Sequence, residues 1–296
     1  MTPRAGPFHD LGSISEMPAS RLLIACPDRP GLIAAVSGFL AAAGLNITDA
    51  DQHSSGEGRL FMRMVFDSPP VAEREALYRR FETEVAEPYE MDHRFAQAGW
   101  RKRVAIMLSR EDHCLTDLLW RWRGGELEAE VTGVISNHPE HANQVEPLGV
   151  PFHHVPVEPA AKAQSERAIL DLLTGRTELL VLARYMQVLS SDFLARVEAP
   201  AINIHHSFLP AFVGSDPYQR AHERGVKLIG ATAHYVTDEL DAGPIIDQDT
   251  IRVSHRDETE DLVRIGRDVE RLVLARAVKA HLEDRVLLDG VRTIVF

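Results

Sequence analysis

Asn203 and His205 stand two residues apart at the end of an apolar run, Ala201 to His205. Asp241 follows in a turn-like segment ahead of Gly243-Pro244. On a β-strand that spacing places the Asn and His side chains on one face. Asn offers amide N–H donors, and His gives or takes a proton near neutrality. A carboxylate beside them would orient the imidazole, raise its pKa or hold a water. Hydrolysis of an amide needs an activated water, a donor for the developing oxyanion and an acid for the leaving nitrogen. These three residue types cover those tasks without a metal. A plainer description also fits: Asn-x-His can close a hydrogen-bonded strand end, and Asp-x-Gly-Pro is good turn chemistry.

Metal chemistry has little support in the pattern. The chain holds 14 histidines, including the pairs His153-His154 and His205-His206, but no H-E-x-x-H and no His/Cys cluster with zinc-site spacing. The expectation is no metal and no cofactor. His206, the strand neighbour of His205, is expected to point away from the Asn203/His205 face. His154, at the end of a strand, is a candidate for lining the site. The two cysteines, Cys26 and Cys114, form no C-x-x-C pair and fit a reducing compartment. No G-x-G-x-x-G, P-loop or G-x-S-x-G occurs, which argues against dinucleotide, ATP and serine-hydrolase readings.

A positioned set of this kind needs a rigid sheet beneath it. Short apolar runs at Val104–Leu108, Val131–Ser136, Phe152–Val155, Leu179–Leu182 and Ala201–His205 read as strands. Helical spacing lies between most of them, at Leu115–Arg123, Gln164–Leu173 and Ser191–Val197. Alternating strands and helices predict a parallel sheet covered on both faces, with ligands bound beyond the carboxyl ends of its strands. Two further strands, 227–235 and 244–253, and a long helix, 257–282, complete the region. Ahead of it, strand, helix and hairpin signals from Arg21 to Phe95 follow the order βαββαβ, a ferredoxin-like unit.

The segments INIHHSFLPAF and GATAHYVTDELDAGP resemble the signature of the folate-dependent formyltransferase family. That resemblance implies catalytic roles for Asn203, His205 and Asp241. It also implies a folate-binding stretch in LARYMQVLS, with the pteridine flanked by Met186, Gln187, Val188 and Leu189 on one side. Thr237, Asp238, Glu239 and Leu240 would flank it on the other. Taken alone, Met186, Val188 and Leu189 read more readily as core residues than as a binding wall. A family member that formylates a phosphorylated acceptor needs a glycine-rich loop after the first strand. Here that place holds SREDHCLTDLLWRWRGGEL, where Glu111 and Asp112 would repel a phosphate. Ser109, Glu111, Asp112 and His113 are therefore candidates for a blocked acceptor pocket or a water site. This departure resembles the branch of the family that releases the formyl group to water.

The amino-terminal CPDRPGLIAAVSGFLAAAGLNI resembles an ACT domain, and the deformylase branch joins the two modules in this order. An effector site is expected at Asp28, Pro30, Gly31, Leu32 and Asn46, with glycine or methionine as the amino acid. The alternative is that the module only builds an oligomer interface. The expected organisation is a loose tail (1–19, with Met17 a possible alternative start), an ACT regulatory domain (20–97), a linker (98–102) and a Rossmann-like catalytic domain (103–296).

Net charge is −12, which weighs against nucleic acid as a partner. No apolar run reaches the roughly 18–20 residues that span a bilayer, and the first residues lack a signal-peptide core. The expected protein is a cytoplasmic homo-oligomer with no membrane or nucleic-acid partner. Its implied reaction converts 10-formyltetrahydrofolate to tetrahydrofolate and formate, supplying purine synthesis and balancing folate pools. Formyl transfer to an amine and non-catalytic folate or amino-acid sensing are the alternatives.

Overall fold

The computed structural model describes residues 19–211 and 216–296. The tail expected over 1–19, with Met17, falls outside the described residues except for Ala19. The chain divides into two compact units between Gly99 and Trp100.

In the first unit, β1 (Ala19–Pro27), α1 (Leu32–Ala42), β2 (Ile47–Ser54), β3 (Arg59–Asp67), α2 (Val71–Phe81), α3 (Glu87–Tyr89) and β4 (Asp92–Gln97) follow one another. The sheet order is β2-β3-β1-β4, with every pairing antiparallel. This is the expected ferredoxin-like arrangement. Alternation on β1 and β3 sends Leu22, Ile24, Leu60, Met62, Met64 and Phe66 into one core with the apolar stripe of α1. Helix α2 runs on through a π turn at Glu82–Ala86 into α3.

The second unit holds β5 (Lys102–Leu108), α4 (His113–Arg123), β6 (Ala129–Ser136), α5 (Ala142–Val145), β7 (Phe152–His154), α6 (Lys162–Leu173), β8 (Leu179–Leu182), α7 (Ser191–Arg196) and β9 (Ala201–His205). It continues with α8 (Pro217–Arg224), β10 (Leu228–Tyr235), β11 (Ile245–Arg252), α9 (Thr259–Leu282) and a closing hairpin, β12 (Val286–Asp289) and β13 (Arg292–Val295). Seven strands form one sheet in the order β11-β10-β9-β8-β5-β6-β7. The five from β9 to β7 are parallel, while β10 and β11 are antiparallel additions. Both faces are covered, which explains the unbroken apolar runs of β5 and β8. Val104, Ile106, Val181, Ile202 and Ile204 face a core shared with α4 and α9. Ala105, Met107, Leu180 and Leu182 face α6 and α7.

The chain moves outward from β5 to β6 and β7, then returns to β8 on the opposite side of β5. That reversal creates a crevice at the carboxyl ends of β5 and β8, where ligands bind in open α/β sheets. Helix α8 and the closing hairpin were not expected from the sequence. The helix is a polar eight-residue stretch, and the hairpin strands have four residues each, too short for periodicity to register.

Candidate active site

His205 ends β9, and Asn203 lies two residues before it on the same face. The antiparallel neighbour β10 places His234 directly opposite Asn203 and Thr232 opposite His205. Asp241 sits in the turn between β10 and β11, in a left-handed conformation (φ 56°). That turn carries its carboxylate back over the strand ends, with Oδ2 3.2 Å from His205 Nδ1. Both side chains are nearly closed to solvent. His205 Nε2 has no hydrogen-bond partner, so the imidazole is held at one nitrogen and unengaged at the other.

The Asp241 carboxyl is pulled two ways. Burial raises its pKa, while the hydrogen bond from His205 and the nearby imidazoles lower it, and the balance falls below the usual carboxylate value. Asp241 is therefore an anion at neutral pH and fixes a proton on His205 Nδ1. His234 is buried, and desolvation lowers its pKa despite the favourable Tyr235 carbonyl. Its Nδ1 lies 2.8 Å from that carbonyl oxygen, which can only accept, so Nδ1 carries the proton. The bare Nε2 then accepts from Asn203 Nδ2 at 3.3 Å. The Asn203 amide thus presents its nitrogen end toward His234, with a second N–H left to give.

A cleft of about 270 Å³ opens over these groups. Met186, Gln187, Val188 and Leu189 form one wall, and Thr237 to Asp241 form the other. Met186 and Val188 are more than half exposed, at 54% and 57%, so they are not core residues. Leu189 is half-buried against the α6/α7 core. Leu240, on the opposite wall, is likewise exposed. Exposed apolar side chains facing each other across a slot suit a flat, partly apolar ligand. Ser109 braces the slot from the end of β5: its hydroxyl accepts from Met186 N at 3.0 Å, and its own N–H reaches the Arg184 carbonyl.

A second cavity, about 480 Å³, adjoins the cleft and shares Arg184 and His206 with it. At its base is Glu270 of α9, only 1% exposed. Its carboxylate lies 2.9 Å from His113 Nε2 and accepts from the Tyr218 hydroxyl at 2.5 Å, with Arg184 Nε 3.4 Å away. Burial raises the Glu270 pKa, but the His113 hydrogen bond and the Arg184 charge bring it below the usual value. Among the described residues, His113, Cys114 and Glu270 bring three possible metal-ligand atoms within 4.8 Å of one another. The Arg184 guanidinium already supplies the positive charge there. Burial also holds the Cys114 thiol in its neutral form.

Several expectations need correction. His206 does not point away from the site. The strand ends at His205, so alternation no longer governs the next residue, and His206 lines both cavities. Desolvation, aided by Arg184, drops its pKa to about 3. His154 lies on the edge strand β7, three strands from β8, and is exposed away from the cleft. Glu111 and Asp112 are not free repelling charges. Glu111 pairs with Arg267 at 2.5 Å, and Asp112 accepts from Gln144 at 3.1 Å, outside the second cavity's lining.

In the first unit, Asp28, Pro30, Gly31 and Leu32 do border a cavity of about 470 Å³. The Leu32 side chain nevertheless belongs to the core. Asn46 precedes β2, whereas the cavity touches that strand through Gln52 and Ser54 near its far end, so the structure separates Asn46 from the other four. Sequence reasoning also missed Arg184, Glu270 and His234. Only His234 left a local signal, as the polar residue alternating with Thr232 on an otherwise apolar strand.

The formyl transferase family pattern matches residues 102–278, and the ACT domain pattern matches residues 20–84. The chain is 58% identical over 279 residues to a formyltetrahydrofolate deformylase of Mycobacterium tuberculosis, an alignment spanning 93% of this chain and 90% of the relative. A crystal structure of a formyltetrahydrofolate deformylase from Pseudomonas syringae superposes with a TM-score of 0.90 at 49% identity, covering 96% of each chain. A glycinamide ribonucleotide transformylase from Symbiobacterium toebii matches with a TM-score of 0.61 at 31% identity, covering 68% of this chain and 96% of its own.

Proposed function

Because the chain belongs to the formyl transferase family, and within it to the ACT-containing formyltetrahydrofolate deformylases, we propose that it hydrolyses 10-formyltetrahydrofolate to tetrahydrofolate and formate. The observation that carries the chemistry is the His205–Asp241 pair, anchored at Nδ1 with Nε2 unengaged beside Asn203. The pteridine lies in the slot between Met186–Leu189 and the Thr237–Asp241 turn. Asp241 and His205 Nε2 order a water against the formyl carbon. As the water oxygen forms the new C–O bond, its proton passes to His205 Nε2, and the imidazolium so formed holds the oxyanion together with the Asn203 N–H. The C–N bond then breaks, the folate nitrogen takes a proton from His205 or a site water, and formic acid leaves as formate. No cofactor enters these steps.

Incubating the protein with 10-formyltetrahydrofolate and no acceptor should release one formate per folate consumed. Asn203→Ala, His205→Ala and Asp241→Ala should each lower kcat by about 10²- to 10⁴-fold with the fold retained. Near-normal turnover in any of the three would remove that residue from the mechanism.

The first unit fits an amino-acid effector site at Asp28, Pro30 and Gly31, where Gly31 (φ 97°) caps α1 without a side-chain acceptor and the first turn of the helix borders the cavity. Glycine or methionine is the proposed effector. Calorimetric titration with a panel of amino acids is the test, and no heat from any of them favours a role in assembly alone. The proposal extends to a cytoplasmic location, with formate feeding purine synthesis, and to a homo-oligomer built with the ACT unit. No helix among the described residues is long and apolar enough to cross a membrane.

A further inference from the structure

We infer that Arg184 reserves this site for water by closing the passage between the folate cleft and the second cavity to an amine acceptor. The inference rests on the hydrolytic reading above and adds the residue that decides the acceptor. The second cavity, about 480 Å³, is large enough for a substrate-sized molecule and lies beside the reacting groups. Its boundary with the cleft is formed by the two residues the cavities share, Arg184 and His206. His206 is a neutral imidazole, so Arg184 is the charge at that boundary.

Two features show that Arg184 is held there against local preference. Its backbone lies in the left-handed region (φ 67°), which a residue with a Cβ avoids. Its Nε and Nη1 are buried with no hydrogen-bond acceptor. Unsatisfied buried donors and backbone outliers concentrate where function requires them. What fixes the guanidinium is Glu270, 3.4 Å from Nε. Glu270 is in turn held by His113 of α4 and Tyr218 of α8. Three helices therefore converge to hold one cation at one opening.

The consequence is selective. Amines exist mainly as ammonium ions near neutrality, and an ammonium meets a like charge in a poorly solvated passage. A neutral amine is still larger than water and meets the guanidinium itself. An anionic acceptor gains little, because Arg267 in the same cavity already engages Glu111. Water is small and uncharged and reaches the formyl carbon from the cleft. With the guanidinium gone, an amine nitrogen would form the new C–N bond. The folate C–N bond would break, and the amine's proton would pass to the folate nitrogen.

The test offers glycinamide to the full-length protein with 10-formyltetrahydrofolate and measures formate and N-formylglycinamide by mass spectrometry. Wild type should give one formate per folate and only background N-formylglycinamide at every glycinamide concentration. Arg184→Gly suits the left-handed backbone, and Arg184→Gly with Glu270→Gln leaves no unpaired buried carboxylate. Both variants should form N-formylglycinamide at least about tenfold above wild type, rising with glycinamide. N-formylglycinamide produced by wild type overturns the inference, and that arm does not depend on the variants folding. Folded variants that release formate at any rate without formylating glycinamide also overturn it. Folded variants that turn over neither way do the same, since Arg184 would then belong to hydrolysis itself. A wild type that releases no formate instead removes the hydrolytic reading, and this inference with it.

Discussion

At the scale of single residues, protonation governs the site. Asp241 has a depressed pKa in the folded state. Its contribution to stability is present above the unfolded value of about 3.9 and is lost only as pH falls through the folded value. His206 loses stability in the same direction, through a base kept neutral by burial. It refuses a proton down to about pH 3 when folded, while the unfolded chain takes one up near 6.5. Stability from its burial is thus complete above the unfolded value and falls as pH drops from about 6.5 toward 3. His206→Gln should flatten the decline of Tm between about pH 7 and 4.5. Parallel Tm curves for wild type and variant would show that His206 is not the group responsible. The cleft residues Met186 and Val188 illustrate the limit of pattern reading. Apolar spacing by itself favours a core, and only their exposure assigns them to the slot wall.

At the scale of elements, the turn between β10 and β11 positions the acid. A β-bulge lies at Ala233/His234, where β10 leaves its register with β11, and such irregularities re-aim side chains beside active sites. The turn closes tightly: the Tyr235 N–H reaches the Pro244 carbonyl, and a Cβ on Gly243 would overlap the Tyr235 carbonyl oxygen. Gly243→Ala should therefore shift Asp241 from His205, lowering kcat by about tenfold or more in a protein that still folds. Unchanged kinetics would mean that the turn yields without moving the carboxylate. On the other side of the site, Thr232 Oγ1 accepts from Leu209 N and Gln248 Nε2 and donates to the Ser207 carbonyl, tying the chain after His205 to the neighbouring strands. Sequence alone suggested a strand that stops at His205, without the clamp that stops it.

At the scale of the whole molecule, each unit buries its own core. Every residue lining the cleft and the second cavity belongs to the second unit. A protein of residues 100–296 should accordingly melt cooperatively and retain formate release, while losing any response to amino acids. Loss of cooperative unfolding in that fragment, followed by circular dichroism, would show that the second unit depends on the first.

What the sequence determined by itself is whatever follows from local spacing. Alternation put Asn203 and His205 on one face, runs of strands and helices implied a ferredoxin-like unit before a parallel sheet, and Gly-Pro signals marked the Asp241 turn. Tertiary structure decided what depends on which strands become neighbours. The pairing of β9 with β10 brought His234 to Asn203, and the packing of α9 brought Glu270 to Arg184. Sheet order sent His154 to a distant edge. Those partners lie tens of residues apart in the chain. No periodicity within a segment encodes them, because the sheet and the helices covering it fix their separation.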